Sequence, residues 1–470
     1  LYQGRYEDQD WVGARNRVAD SDNLAPQTLI SRSAQRLLNL AEAASSPALR
    51  KKALDFVLHQ IDREDRNTNY ICIGPINKML NTLVWYLHDP EGPELQAHRA
   101  RMRDYLYQAD DGIKMQGYNS SRLWDTAFAV QGVFQARAAL QSLGDKPGEI
   151  RELTLPLLRQ AHGFIDQNQV REDVCDAESA FRHPSKGGWP FSDRPHGWPI
   201  SDCTAEGIKA SLLNEEVVEE PIDVERLLEG VELLLSLQNK DGGWATYELT
   251  RGSRLLELLN PSDCFRDIMV DYSYVECTSA SIQALQAFGQ RYPHLVPEKM
   301  FWAIHRGMSF LRKAQLSSGA FEGSWGVCFT YGTWFGICGL KAGGARDSEP
   351  ALLKARAFLE DTQRADGGWG ESVGNCETRS YNQQTESQAV MTAWAVLGLL
   401  ECGGASLSSV RRGIQFLVDR QLPGGDFPDE NIAGVFNKTC AIHYDNYLKV
   451  FPLWALSRFS ALQDISAAAE

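Results

Sequence analysis

Apolar residues recur at helical spacing along most of the chain, and this periodicity predicts a predominantly helical protein. Helices are predicted over residues 49–61, 77–87, 278–289 and 389–400, and the segment 307–311 has the spacing of a buried helix end. The best apolar stretch, residues 393–400, is interrupted by a glycine and is much shorter than the roughly 18 residues of a membrane-spanning helix. The pattern therefore predicts helices that pack against one another.

An internal repeat is superimposed on this periodicity. Four segments share an apolar pair, three intervening residues, Gln, three more residues, Gly, one residue and then an aromatic residue: 233–244, 310–321, 358–369 and 416–427. A fifth copy begins at Phe164 with Gln169, and an insertion separates it from Trp189. A sixth, degenerate copy is predicted at Tyr105 with Gly112. Recurrence of this kind is typical of an architecture built from one supersecondary unit.

Each part of the repeat has a physical role. The apolar pair ends a helix, the glycine stops it and turns the chain, the Gln can bond exposed backbone groups, and the aromatic ring packs down as a plug. Two helices per repeat predict an all-α fold, an α/α barrel of six inner and six outer helices. The repeats are unevenly spaced, which favours a decorated barrel over an open solenoid. Residues 116–470 are assigned to this barrel, and residues 1–115, which lack clear repeats, to part of a second helical domain, for which we expect the remainder of a second α/α barrel.

Composition narrows the function classes. The formal net charge is −14, which argues against a nucleic-acid partner. The ten cysteines form no CxxC pair, so we expect reduced thiols in an intracellular protein without a metal site. No basic region followed by an apolar stretch opens the chain, so no signal peptide is predicted. Twelve tryptophans are a large supply of aromatic surface.

Asp202 is the main candidate for chemistry. It stands in the sequence Ser-Asp-Cys-Thr-Ala-Glu, between Pro199 and a helical pattern that runs to Leu213. One interpretation is a helix N-cap. The alternative is a general acid, because a carboxyl among apolar groups keeps its proton and can donate it to a weak base.

The motif at 201–206 resembles the acid motif of the oxidosqualene cyclases, and the Gln-Gly-Trp repeats are similar to the repeats of that family. Further stretches agree, from residue 11 to residue 458: 115–119, 245–248, 274–280, 323–336 and 434–438. The resemblance covers roughly the last two-thirds of the family's chain. It implies a 2,3-oxidosqualene substrate, no cofactor, and docking on a membrane surface.

The resemblance also implies residue roles. Asp202 would protonate the epoxide, with Cys203 and Cys277 as its hydrogen-bond partners. Aromatic faces stabilise cations without acting as strong bases. The positions that match the family's cavity aromatics are Trp124, Phe191, Tyr247, Trp325, Tyr331 and Phe436.

Three positions bear on the product. Tyr118, His196 and Ile200 match cyclases that form cycloartenol, whereas the stretch from Asn431 to Ile442 is closer to those that form lanosterol. We favour cycloartenol. A squalene–hopene-type cyclase, a prenyltransferase subunit and a non-catalytic helical scaffold are the rival interpretations. Residues 25–40 are the candidate membrane-docking segment, which predicts an intracellular protein at a membrane surface.

Overall fold

Alternating helices build most of the molecule in the computed structural model, which describes residues 5–10, 18–25, 27–109, 112–404 and 407–469. Residue 11, where the family resemblance begins, and residue 26 of the candidate docking segment lie outside these ranges. The N-terminal part contains α1 (Leu29–Ala43), α2 (Pro47–Asn67), α3 (Pro75–His88), α4 (Pro93–Ala100), β1 (Leu106–Ala109) and β2 (Gly112–Met115).

Twelve further helices and four short strands follow: α5 (Arg122–Ser142), α6 (Pro147–Asn168), α7 (Ser201–Asn214), α8 (Val224–Ser236), α9 (Val275–Arg291), α10 (Glu298–Ala314), α11 (Phe329–Ala342), α12 (Pro350–Asp361), β3 (Trp369–Glu371), α13 (Asn375–Thr378), β4 (Gln383–Gln388), α14 (Ala389–Glu401), α15 (Ser408–Arg420), β5 (Gly434–Phe436), β6 (Cys440–Ile442) and α16 (Asp445–Ala469). The predicted helices at 49–61, 77–87, 278–289 and 389–400 are confirmed as parts of α2, α3, α9 and α14.

Six helices close an inner ring. Each packs on the next in the order α5, α7, α9, α11, α14 and α16, and α16 packs back on α5. Helices α6, α8, α10, α12 and α15 lie outside this ring between successive inner helices. Residues 389–400 of α14 are buried on every side, as expected of a helix inside a core. The predicted all-α barrel is therefore confirmed, whereas the domain division at residue 115 stays a prediction.

The repeat glutamines join neighbouring units. Each side-chain amide donates to the carbonyl of its own turn glycine, and four of the five also donate to a carbonyl of the following outer helix. The second bonds run from Gln169 to Arg226, from Gln238 to Ala303, from Gln315 to Ala351 and from Gln363 to Ser409, at 2.7–2.9 Å. Each of these four glutamines thus satisfies carbonyls at a helix end and fixes the next unit. This confirms the role predicted for the glutamines.

The repeat aromatics are anchored at both ends. The indoles of Trp189, Trp244 and Trp369 are fully buried and donate to carbonyls of the preceding outer helix at 2.7–2.8 Å. The main-chain N–H groups of four repeat aromatics donate to threonines of the next inner helix, namely Thr204, Thr278, Thr333 and Thr392, whereas that of Phe427 donates to Asp426. The sequence analysis missed these threonines, because their spacing from the aromatic residue differs in every repeat.

The sixth repeat is not a repeat unit. Tyr105 ends a short 3-10 helix, and the residues after it form the antiparallel hairpin of β1 and β2, with Leu106 opposite Met115. Gly112 begins β2 with a φ of 136° and does not cap a helix. The prediction was wrong because the chain passes from Tyr105 directly into a strand at Leu106. None of the helices described by the structure has the length and apolar character needed to cross a bilayer.

Candidate active site

Asp202 lies in the first turn of α7 and faces a cavity at one end of the inner ring. Its side chain is 5% exposed. The N-cap of α7 is Ile200, so the N-cap interpretation of Asp202 is wrong. One carboxyl oxygen accepts the Cys203 N–H at 2.8 Å, and the other accepts the Cys277 thiol at 3.5 Å. The structure thus brings the three residues of the predicted acid site together.

Burial dominates the electrostatics of this carboxyl. The pKa of Asp202 is raised from 3.8 to about 7, mainly by loss of water and to a smaller extent by the carboxyl groups of Glu206 and Glu276. The Cys203 N–H and the Cys277 thiol oppose the shift by favouring the ionised form. Desolvation also raises the pKa of both thiols well above the ordinary value, which keeps them as neutral hydrogen-bond partners.

Aromatic rings line the cavity that Asp202 faces. Among the residues around it, Asp202 alone carries an ionisable carboxyl. Its walls include the predicted Tyr118, Trp124, Phe191, Ile200, Tyr247, Trp325 and Phe436. Two pairs are in edge contact, since the ring of Trp325 lies 5.3 Å from Phe436 and that of Tyr118 lies 5.2 Å from Phe191. Such a cavity accommodates an apolar, cationic species close to one acid.

Tyr331 does not line this cavity. Its ring is fully buried under Gly326 and lies 4.7 Å from the ring of Trp394. A Cβ on Gly326 would come within 2.6 Å of the Tyr331 ring, so a glycine is required at this close approach. Tyr331 therefore supports the loop that carries Trp325, one layer behind the wall.

His196 also stands behind the wall. Its ring is fully buried and lies 5.0 Å from the ring of Tyr118, whose hydroxyl lies 3.0 Å from that of Tyr247. Burial lowers the pKa of His196 to about 4, so the imidazole is neutral at physiological pH. Of the predicted product-determining residues, Tyr118 and Ile200 thus line the cavity, and His196 packs against Tyr118 from behind.

Four wall residues were absent from the sequence prediction: Thr246, Ile442, Tyr444 and Tyr447. Tyr444 and Tyr447 stack at 4.4 Å at the start of α16, and the Tyr447 hydroxyl accepts the Trp124 indole N–H at 2.8 Å. Their spacing of three on a helix could have indicated a shared face. Only the return of α16 to α5 reveals that this face points to the cavity.

A buried polar cluster lies in the N-terminal part of the molecule. Asp65, Cys72 and His98 have ligand atoms within 4.8 Å of one another, the arrangement of a possible metal site. However, Asp65 accepts hydrogen bonds from Trp85 and His98, and the Lys78 ammonium lies 2.9 Å from the other His98 nitrogen. A cation at that position opposes a second one. We interpret the cluster as a hydrogen-bond network.

Sequence comparison identifies the class of protein that this barrel and acid define. Residues 120–461 match the family model described as squalene–hopene cyclase C-terminal domain. The chain belongs to this family of terpenoid cyclases. The resemblance seen in the repeats and the acid motif is thereby confirmed at the family level.

Several characterised relatives are similar over nearly the whole chain. Lanosterol synthase is 44% identical in Mus musculus and 45% identical in Homo sapiens, in each case over 98% of this chain and 63% of the relative. Cycloartenol synthase of Dictyostelium discoideum is 46% identical over 98% of this chain and 64% of the relative. The chain thus spans a little under two-thirds of the relatives it matches, and the two product classes are about equally similar to it.

Proposed function

We propose that this chain is the acid-bearing barrel of an oxidosqualene cyclase, an enzyme that folds 2,3-oxidosqualene into a sterol precursor. The observation that carries the proposal is the buried Asp202 carboxyl, held by Cys277 and facing an aromatic cavity. The similarity to lanosterol and cycloartenol synthases supports it.

The first chemical step follows from the state of Asp202. Its protonated carboxyl gives the proton to the epoxide oxygen, the weakened C–O bond breaks, and the nearest alkene supplies electrons to the carbon left behind. Asp202 then becomes a carboxylate that Cys277 and the Cys203 N–H stabilise. An epoxide is a stronger base than a bare alkene, so a single carboxyl with a pKa of about 7 suits it. This favours the epoxide over the squalene substrate of a hopene-type cyclase.

The later steps need a wall that stabilises positive charge and accepts no proton early. The faces of Trp124, Phe191, Trp325 and Phe436 supply about 0.5–2 kcal/mol each through their quadrupoles. The reaction ends when one proton leaves the final cation. No metal or redox group is part of this sequence of proton and π-electron transfers.

For the product, we propose cycloartenol. Tyr118, His196 and Ile200 support it. Tyr118 and Ile200 line the cavity, and His196 packs against Tyr118. The paired hydroxyls of Tyr118 and Tyr247 can direct the final proton loss. Lanosterol is the second candidate, favoured by the stretch from Asn431 to Ile442 and by the two lanosterol synthases at similar identity.

The test is incubation of the full-length protein with 2,3-oxidosqualene and identification of the cyclised product by mass spectrometry. We expect cycloartenol from the native protein and no detectable product from Asp202→Asn. Asp125→Asn is the matched control, because Asp125 is also a first-turn carboxyl of an inner helix but lies outside the cavity wall. Absence of product from the native protein, or undiminished turnover in Asp202→Asn, would contradict the enzyme proposal. Lanosterol as the main product would contradict the product proposal alone.

We also propose that the protein docks on an intracellular membrane surface. The 3-10 helix Arg254–Leu259 exposes Leu255 and Leu259, and α1, which contacts it, exposes Leu37, Leu38 and Leu40. These exposed leucines lie on two elements in contact, and together they offer apolar groups, here called the patch, that suit the acyl boundary of a bilayer. The docking surface in this proposal is thus larger than the segment 25–40 indicated by the sequence.

A further inference from the structure

The segment 271–277, which leads into α9, begins with a carboxyl group that accepts hydrogen bonds from the main chain of a neighbouring loop. Asp271 accepts the main-chain N–H of Tyr247 at 2.8 Å, and those of Thr246 and Glu248 at 3.3 and 3.4 Å. This loop carries Tyr247 and Thr246 into the cavity wall. Three bonds to consecutive amides leave the loop little freedom to rotate, so Asp271 determines the direction in which the Tyr247 ring points.

A second carboxylate of the same segment grips a second loop. Glu276 is fully buried in the first turn of α9, and one of its oxygens accepts the N–H groups of Ser324 at 2.5 Å and Trp325 at 3.0 Å. Trp325 in turn pairs with the strand of Phe436, since its carbonyl accepts the Val435 N–H at 3.3 Å. One carboxylate thus fixes two facing aromatic residues of the wall.

The next residue holds the acid. Cys277 donates its thiol to Asp202, so Asp271, Glu276 and Cys277 bind three separate parts of the site from one short stretch of chain. Their contacts bridge 24, 48 and 75 residues of sequence. Because the stretch continues into the rigid helix α9, the acid and the two bound loops are held in fixed positions relative to one another.

The carboxyl groups of Asp271 and Glu276 also differ from that of Asp202 in their surroundings. Neither Asp271 nor Glu276 lines the cavity. Each turns at least one oxygen to main-chain N–H groups, which favour its ionised form against the burial that raises the pKa of Asp271 to about 6 and the pKa of Glu276 above its ordinary value. The wall can therefore be held by hydrogen bonds to these two carboxyl groups, while Asp202 remains the one carboxyl that lines it.

We propose that Asp271 and Glu276 are positioning residues, which set the placement of Tyr247 and of the Trp325–Phe436 pair relative to Asp202 and thereby determine where cyclisation stops. The inference rests on the proposed cyclase function. It requires that weakening the hydrogen bonds of either carboxyl group to its loop changes which product forms, because the cation is then quenched at a different stage.

The test uses the isosteric variants Asp271→Asn and Glu276→Gln in the full-length protein. Both Asp271 oxygens accept main-chain N–H groups, so Asn at this position places an NH₂ group against an N–H that the carboxyl formerly accepted. Gln at position 276 keeps one acceptor oxygen but removes the carboxyl charge, which weakens the bonds to Ser324 and Trp325. With 2,3-oxidosqualene, we expect the fraction of minor products, including incompletely cyclised ones, to rise about fivefold, the factor associated with one net hydrogen bond. The KM is expected to change less than the product ratio, since neither residue touches substrate.

Asp173→Asn is the matched control. Asp173 grips a loop in the same way, accepting the N–H groups of Ser185 and Lys186 at 2.6 and 3.0 Å, but neither it nor that loop lines the cavity. It should lower the melting temperature and leave the product ratio unchanged. Folded Asp271→Asn and Glu276→Gln proteins with the native product ratio would overturn the inference.

Two further variants cover the case in which Asp271→Asn or Glu276→Gln fails to fold. Asp271→Glu and Glu276→Asp keep the carboxyl group and move it by one methylene. We expect the fold to be retained and the hydrogen bonds to the loop N–H groups to be displaced. We expect a product shift in the same direction, and a native product ratio in both would overturn the inference. Failure of the native protein to cyclise 2,3-oxidosqualene at all would instead overturn the proposed function.

Discussion

The carboxyl of Asp202 is subject to two opposing influences at the start of α7. The N-terminus of a helix favours a negative charge by about 0.3–1 kcal/mol, and the Cys203 N–H adds to this preference. Burial among aromatic rings opposes both and is larger, because the pKa stands at about 7. The result is an acid that is about half protonated near neutral pH and whose conjugate base is already stabilised.

This balance predicts opposite effects of Asp202→Asn on activity and on stability. The folded pKa lies above the unfolded value of 3.8, so the native protein loses stability as the pH rises from about 4 through 7, while the Asn variant does not. At pH 8 the variant should be inactive yet more stable, by at most about 4 kcal/mol, since one pKa unit is 1.36 kcal/mol.

Urea unfolding of both proteins at pH 5 and pH 8 measures this difference. The stability gain of the variant should be larger at pH 8. An equal gain at both pH values would show that the carboxyl does not titrate between them. The turnover of the native protein should also fall as the pH rises above 7, because the acid form disappears.

Four of the inner helices, α7, α9, α11 and α14, carry a threonine that accepts the main-chain N–H of a repeat aromatic, and α9 illustrates the consequence. Thr278 accepts the Trp244 N–H at 3.0 Å, while the Trp244 indole donates to Leu234 of α8. The ring is therefore fixed between an outer and an inner helix. Packing alone would leave a buried N–H without a partner.

We expect Thr278→Val to lower the free energy of unfolding by about 1–3 kcal/mol, because the valine leaves the buried Trp244 N–H unsatisfied. Thr278→Ser keeps the acceptor and should recover most of the loss. Ser281→Ala is the matched control on the same helix, since the Ser281 hydroxyl is fully buried and has no hydrogen-bond partner in the described part of the chain. Thermal unfolding compares the three, and equal losses for Thr278→Val and Ser281→Ala would contradict the prediction.

At the scale of the whole molecule, ring closure creates the cavity. Helix α16 comes from the end of the chain and packs on α5, so Tyr444 and Tyr447 reach a wall that begins with Tyr118 and Trp124. Outside the ring, leucines of α1 and of the 3-10 helix Arg254–Leu259 remain exposed on adjoining elements. The molecule therefore combines an enclosed apolar site with an apolar outer patch.

The patch predicts membrane affinity that depends on particular leucines. The double variant Leu255→Ser and Leu259→Ser should weaken partitioning into phosphatidylcholine vesicles at least about tenfold, because each buried leucine contributes roughly 1.5–3 kcal/mol. Leu353→Ser, on the outer helix α12, removes a half-exposed leucine away from the patch and should leave partitioning unchanged. Co-sedimentation with vesicles measures it. Equal partitioning of the double variant and the native protein would contradict the docking proposal.

Local chemistry explains how much of this could be predicted from the sequence. The repeats could be recognised because Gln, Gly and the aromatic residue act within one turn, and Gln238 illustrates this by donating to the carbonyl of Gly242, four residues away. The acid motif could be recognised because Asp202 and Cys203 are neighbours. The degenerate copy at Tyr105 misled because an apolar pair and a glycine also suit a hairpin.

The helices and the repeat turns thus followed from the sequence, since each depends on neighbours along the chain, whereas the acid and most of the aromatic residues were predicted from the resemblance of their motifs to the oxidosqualene cyclases. Only the tertiary structure decided that Thr278 anchors Trp244, that Tyr331 stands behind the wall and that Tyr444 belongs to it. These relations depend on which helices meet when the ring closes. Loops of unequal length separate the partners, so no fixed spacing records contacts that burial and ring closure impose.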